Sequence, residues 1–238
     1  MKKNLFFIFA LIGSALLVSS CCKNAAQTEE KPETIEVSEA VSAFKLAGEL
    51  SNYGQNAKSA LALINAADIL ASTPQSVLDA EFEGGNETPN ESEKSAKVAL
   101  DPIALLELAK EYANDDEHLL TLIAEVESKL TANAEAALSG TRGAFGGAKS
   151  GCGTVYARNY DTYNILFNAG TVCNVAVVGD GDTDLDLYVY DLNGNLICSD
   201  VSYSDNCLVS FIPYYTTTFK IKVVNRGAIY NNYCIATN

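Results

Sequence analysis

The stretch Gly179-Asp180-Gly181-Asp182-Thr183-Asp184-Leu185-Asp186-Leu187-Tyr188-Val189-Tyr190-Asp191-Leu192-Asn193-Gly194-Asn195 decides the fold. Carboxylates recur at every second position, so a strand through this region sets Asp182, Asp184 and Asp186 on one face and Leu185, Leu187 and Val189 on the other. The Asn193-Gly194 pair offers two positive-φ residues for a tight hairpin, which turns the strand back on itself. A strand that is apolar on one side and charged on the other belongs in an antiparallel sheet with one buried face.

The surroundings agree. From Gly151 onward the chain holds no Glu and no His, and is rich in Tyr, Asn, Thr and Val. Strand formers at this density, punctuated by turn residues, predict strands at 163–167, 173–178, 185–190, 196–199, 207–212, 217–225 and 230–237, and hence an antiparallel β-sandwich over 152–238.

Upstream the period changes to that of helices. Val37, Val41, Phe44, Ala47 and Leu50 recur at three- and four-residue steps behind Ser38 or Thr34 as a cap, and Ala60, Leu63, Ile64, Ala67 and Leu70 do the same after a turn at Tyr53-Gly54. Asp101-Pro102 has the cap and first-turn proline that open a helix. Asn114 to Glu117 reads as the cap of a fourth. The fold class is therefore α+β as separate domains: a bundle of about four helices over 35–138, then the sandwich. Residues 80–96, almost without apolar side chains, predict a mobile loop, and Ser139 to Gly151 a Gly-rich linker.

The N-terminus carries address information. Lys2 and Lys3 precede an apolar run from Leu5 to Val18, too short to span a bilayer, so residues 1–20 read as a signal peptide. The run ends Val18-Ser19-Ser20-Cys21, which resembles the lipobox of bacterial lipoproteins. That resemblance implies lipidation of Cys21, a polar tether over 21–34, and residence in the bacterial cell envelope, held to a membrane by lipid on its periplasmic face or at the cell surface. A net charge of -14 and a pI near 4.4 argue against nucleic acid as a partner.

Cys152, Cys173, Cys198, Cys207 and Cys234 all lie in the last third, which in an exported chain reads as a disulfide framework. Cys198 and Cys207 flank one loop and are the first expected pair; Cys173 with Cys234 is the second, leaving Cys152 over. No Cys-x-x-Cys spacing and no nearby histidine supports zinc.

Six segments carry a family likeness in order: Asp161-Thr162-Tyr163, Val175-Ala176-Val177, Gly179 to Asp191, Phe211-Ile212-Pro213, Phe219 to Val223, and Tyr230-Asn231-Asn232-Tyr233. Together they resemble the bacterial pre-peptidase C-terminal (PPC) domain over about 155–238. The resemblance implies a small, jelly-roll-like, non-catalytic sandwich of the kind appended to exported proteins, with calcium-stabilised binding modules among its relatives. The chain departs from the family in its many cysteines and in having no peptidase domain in front.

Two readings of the aspartates stay open. Asp180, Asp182, Asp184 and Asp186 could hold Ca2+ through hard oxygen ligands, or could keep an exposed strand face solvated. Carboxylates spaced about 7 Å apart on a straight strand are too wide for one ion unless the Gly179 to Thr183 turn gathers them. No cofactor is required by anything else in the chain. His118, the only histidine, falls in the first turn of an amphipathic helix, and the β region has no base for a catalytic triad, so an enzyme is not expected. The expected function is a lipid-anchored binding or interaction module with a protein or glycan ligand. The alternatives are a structural accessory that presents an envelope partner through its helices, and a hydrolase using Asp residues. Nothing in the sequence sets the oligomeric state.

Overall fold

The computed structural model describes residues 36–73, 76–78, 81–84, 97–98, 100–139 and 148–238. The signal peptide, Cys21, the tether, most of the 80–96 loop and the middle of the linker lie outside the described residues.

Four helices come first: α1 (Glu39–Ala57), α2 (Ala60–Ser72), α3 (Pro102–Ala113) and α4 (Glu117–Ser139). Their starts are set by side-chain oxygens that take up otherwise unpaired amides. Ser38 Oγ accepts from Val41 N–H at 3.3 Å, and Asp101 Oδ1 from Ala104 N–H at 2.9 Å with Pro102 behind it. The cap of α4 is Asp116, whose carboxylate accepts from His118 and Leu119, whereas Asn114 ends α3 in the left-handed region. The turn expected at Tyr53-Gly54 is absent, and α1 runs on to Ala57. Gly54 serves close approach instead, since a Cβ there would lie 2.7 Å from Leu63 Cδ2.

The strands are β1 (Ser76–Val77), β2 (Glu81–Gly84), β3 (Lys149–Val155), β4 (Tyr160–Phe167), β5 (Cys173–Gly179), β6 (Leu185–Tyr190), β7 (Leu196–Asp200), β8 (Asn206–Phe211), β9 (Thr217–Asn225) and β10 (Asn231–Thr237). They form two packed sheets of order β1-β3-β10-β5-β8 and β2-β4-β9-β6-β7. Four strands of each sheet come from the C-terminal part and are antiparallel; β1 and β2 add a short edge to each. Two expectations are thereby corrected. The loop at 80–96 begins as strand β2 on β4, and the linker is helical at Ser139 and already strand from Lys149. Backbone pairing to a preformed edge overrides the polar side chains of β2 and the glycines of β3.

Leu185, Leu187 and Val189 point between the sheets and are fully buried, as the alternation requires. The hairpin after them is a three-residue loop, not the two-residue turn expected. Gly194 N–H donates to Asp191 O, Asp191 N–H to Asn195 O, and Gly194 alone of the Asn-Gly pair has positive φ. Asp191 fixes the loop by accepting from the amides of Asn193 and Asn195.

Helices and sandwich share a core. All seven residues of β5 are buried: Val175 and Val177 face the other sheet, while Ala176 and Val178 pack with Val41 and Phe44 of α1. Gly48 permits this, because a Cβ there would collide with the Val178 side chain. The helices α2, α3 and α4 close a second core around Leu63, Leu105, Leu106 and Ile123. No described helix is long and apolar enough to cross a membrane.

Strand directions give the sandwich two distinct ends. Loops 168–172, 191–195 and 212–216 close one, with a cluster of Phe167, Phe211 and Phe219 beneath them. Loops 156–159, 180–184, 201–205 and 226–230 close the other, and they carry Arg158, Asp180, Asp182, Asp184, Asp205 and Arg226.

Candidate functional site

The charged end holds the aspartate stretch, and the structure sends its carboxylates to different partners. Asp180, 7% exposed, accepts from Asn232 N–H at 2.9 Å, and its carbonyl accepts from Lys97 Nζ. Asp182 pairs with the same lysine at 3.2 Å. Asp184 accepts from Ser204 N–H at 3.1 Å; desolvation first, then the neighbouring Asp186, hold its carboxyl above the usual range. Asp186, 5% exposed on the outer face of β6, takes Arg226 Nε at 2.5 Å and the Tyr188 hydroxyl at 2.9 Å.

Asp205, which sequence reasoning passed over, accepts from the Gly181 amide, and its carboxyl is raised chiefly by burial. Buried Asn231 ties the turn from below, donating to Thr183 Oγ1 at 2.8 Å. Among the described residues no three carboxylate, imidazole or thiol groups converge in a metal-binding arrangement. The solvated-face reading is corrected for Asp180 and Asp186, which are buried and bonded. Asn and Asp at strand ends are the signal that could have revealed this knot, because such side chains bond nearby loop amides.

Beside the knot a cleft of about 280 Å³ opens between α1, Lys97-Val98 and the outer face of β3, β10 and β5. Its walls are held by amides. Gln55 clamps the backbone of Val98 at both ends, Oε1 accepting from the amide at 2.8 Å and Nε2 donating to the carbonyl at 3.2 Å. Asn52 Nδ2 donates to Gly179 O at 2.8 Å, and Thr154 Oγ1 meets Asn232 Oδ1 at 2.7 Å across the strands. Among the described residues, the only charged side chains lining it are Lys97 and Asp180.

The floor of the cleft is a disulfide, Cys152–Cys234. The two residues stand opposite each other in the β3–β10 register, which brings their Cβ atoms within bonding reach. The expected pairs Cys198–Cys207 and Cys173–Cys234 are not formed. Cys207 faces the inter-sheet core and donates its thiol to Leu185 O at 3.0 Å, with burial pushing its pKa up. Cys173 contacts Thr171, and Cys198 is buried in the same core as Cys207.

Behind Gly153, between the sheets, lies a buried polar chain. Tyr233 Oη donates to Asp161 Oδ2 at 2.8 Å and lies 2.7 Å from Tyr163 Oη. Asp161 is 5% exposed, and burial pushes its carboxyl up to about 6 against the opposing hydrogen bond from Tyr233. Burial likewise pushes Tyr163 up to about 12. His118 is exposed in the first turn of α4 and is not among the residues that line the cleft.

In class the protein is a β-sandwich backed by a four-helix layer, with a polar cleft at their junction. No protein-family model matches the chain, and no curated protein matches it. The PPC resemblance therefore stands on the six quoted segments alone. Among solved structures the chain is similar to PliG of Aeromonas hydrophila, a periplasmic lysozyme inhibitor of g-type lysozyme, with 12% identity over 38% of this chain and 84% of that one and a TM-score of 0.31. A likeness at that level carries no function across.

Proposed function

We propose that this is a lipid-anchored, exported, non-catalytic binding module of the bacterial cell envelope, and that the cleft between α1 and the outer sheet face takes a neutral, hydrogen-bonding segment of a protein or glycan ligand. The observation that carries the reading is the chemistry of the cleft. Its walls offer amide, hydroxyl and backbone groups, and both charged side chains at the rim are already engaged, Lys97 with the Asp180 carbonyl and the Asp182 carboxylate and Asp180 with the Asn232 amide. Asp161, whose carboxyl burial pushes up to about 6, is sealed between the sheets, where a substrate in the cleft does not reach it.

The N-terminal Val18-Ser19-Ser20-Cys21 motif supports export and lipidation, and the Cys152–Cys234 bridge suits an oxidising compartment. The aspartates act in this reading as loop fasteners, with Ca2+ kept as a second use only where a titration demands it.

The test is a titration of the full mature chain with uncharged oligosaccharides and with extended peptides, followed by NMR. Shifts confined to Asn52, Gln55, Thr154 and Asn232, lost in Thr154→Tyr, are expected. Shifts elsewhere, or none with either ligand class, would remove the cleft from the function. Release of a chemical product from any ligand would overturn the non-catalytic part. Calcium added in the same experiment separates the metal reading, because a cation that binds the folded state raises Tm.

A further inference from the structure

The neutral end of the sandwich differs from the rest of this acidic chain. Its three loops, 168–172, 191–195 and 212–216, hold one charged side chain, Asp191, and that carboxylate accepts hydrogen bonds from the amides of its own hairpin. The same loops expose Leu192 at 73%, Tyr214 at 73% and Tyr215 at 81%, with Ile212 and Leu196 half-exposed beside them. They are joined rather than independent: Gly170 N–H donates to Pro213 O at 2.8 Å, and Ala169 N–H to Thr216 Oγ1 at 3.0 Å. The apolar side chains thus sit on a braced platform above the Phe167, Phe211 and Phe219 cluster.

The N-terminal end of α1 lies at this same end. Ser38 N–H donates to Asn174 Oδ1 at 2.9 Å, and Asn174 is the second residue of β5, next to loop 168–172. From there α1 runs along β5 toward the charged end, where Asn52 meets Gly179. About fifteen residues separate Cys21 from Glu36, a chain that reaches at most about 50 Å. A lipid on Cys21 therefore attaches to the body at the same end as these loops.

We infer that this end is a membrane-docking surface, with Tyr214, Tyr215 and Leu192 seated at the lipid–water interface of the bilayer that holds the anchor. The inference rests on the lipid-anchored part of the proposed function. Tyrosine suits that depth because its ring is apolar and its hydroxyl stays wet. Desolvation favours the same end, since its three loops bring one charged side chain to the bilayer where the four loops of the other end would bring six, with Glu36 and Glu39 exposed to one side at the start of α1. Docked in this way, the protein holds its charged end and the mouth of its cleft away from the membrane.

The chain contains no tryptophan, so a single introduced one reports its own surroundings. The lipidated full chain carrying Tyr214→Trp, or Tyr203→Trp at the charged end, is reconstituted into phosphatidylcholine vesicles with and without brominated acyl chains. The expected result is a blue-shifted Tyr214→Trp emission that loses most of its intensity to the brominated lipid, while Tyr203→Trp emits as in water. Protein that sediments with vesicles yet leaves both reporters water-like overturns docking and keeps the anchor. Equal shifts at both ends overturn the orientation. A Tyr214→Trp shift that appears without vesicles and grows with protein concentration assigns the end to a second copy, and overturns the membrane as occupant. Should mass spectrometry find Cys21 without acyl chains, the anchoring reading fails separately. The secreted chain with Cys22→Ser is then coupled through Cys21 to maleimide-bearing lipid, and the same two emission readings decide docking.

Discussion

The two ends of the sandwich are closed by opposite means. At the neutral end, short loops rest on three phenylalanine rings whose centroids lie 5.0 to 6.1 Å apart, and the side chains above them are apolar and exposed. At the charged end, buried Asn225 and Asn231, together with Asp180, Asp186 and Asp205, bond the loops to the strand ends, and apolar packing gives way to a polar knot. The first solution leaves a surface free to meet another apolar phase. The second fixes loop shape at the cost of desolvating carboxylates, and this is why Asp184 and Asp205 are raised while Asp186 must be paired. A sandwich can thus keep one end for geometry and the other for contact.

The contrast can be broken most strongly at the phenylalanine cluster. Phe211→Ala is expected to lower stability by about 3–5 kcal/mol in a denaturant titration, through lost burial and an unfilled cavity. A loss no larger than that of a surface substitution would mean that the neutral end does not depend on those rings. Next in size is the bridge under the cleft. Replacing Cys152 and Cys234 together by Ser should cost about 2–4 kcal/mol, because the crosslink closes a long loop in the unfolded chain. Reduction of the unmodified protein should lower its Tm to match.

The buried Asp161 adds a pH dependence of known sign. Its folded pKa, about 6, lies above the ordinary value of 3.8, so the folded state holds the proton more tightly. The contribution is complete below about pH 4, falls as pH rises through about 6, and totals on the order of 3 kcal/mol. Asp161→Asn should flatten the stability profile between those values; an unchanged slope assigns the dependence to other groups. Arg226→Ala strands the carboxylate of Asp186, and because the guanidinium is half-exposed the expected loss is about 1–2 kcal/mol. Smallest is Tyr214→Ser with Tyr215→Ser, expected to move stability by less than about 0.5 kcal/mol while removing the proposed membrane contact.

Much of the fold is legible because its signals are local. The alternation of Leu185, Leu187 and Val189 and the apolar run Val175 to Val178 of β5 each follow from neighbouring residues, as does the Asp101-Pro102 cap. The unbroken run on β5 is also where two-sided burial is written: a strand covered by α1 on one face and by a sheet on the other has no place for polar alternation. The edges β1 and β2 were illegible, since a segment of two or four residues becomes strand only by pairing with a strand already in place. The strand β3 was hidden by its glycines.

Sequence by itself determined the strand-rich and helix-rich halves, the caps, the inward face of the signature strand and the expectation of an exported, acidic, cysteine-bearing chain. Tertiary structure alone decided that Cys152 meets Cys234, that each aspartate has its own partner, that a cleft forms beneath α1, and that the N-terminal end of that helix lies at the neutral end. These depend on register between segments tens of residues apart, and no local period of side chains records which strand will lie beside which.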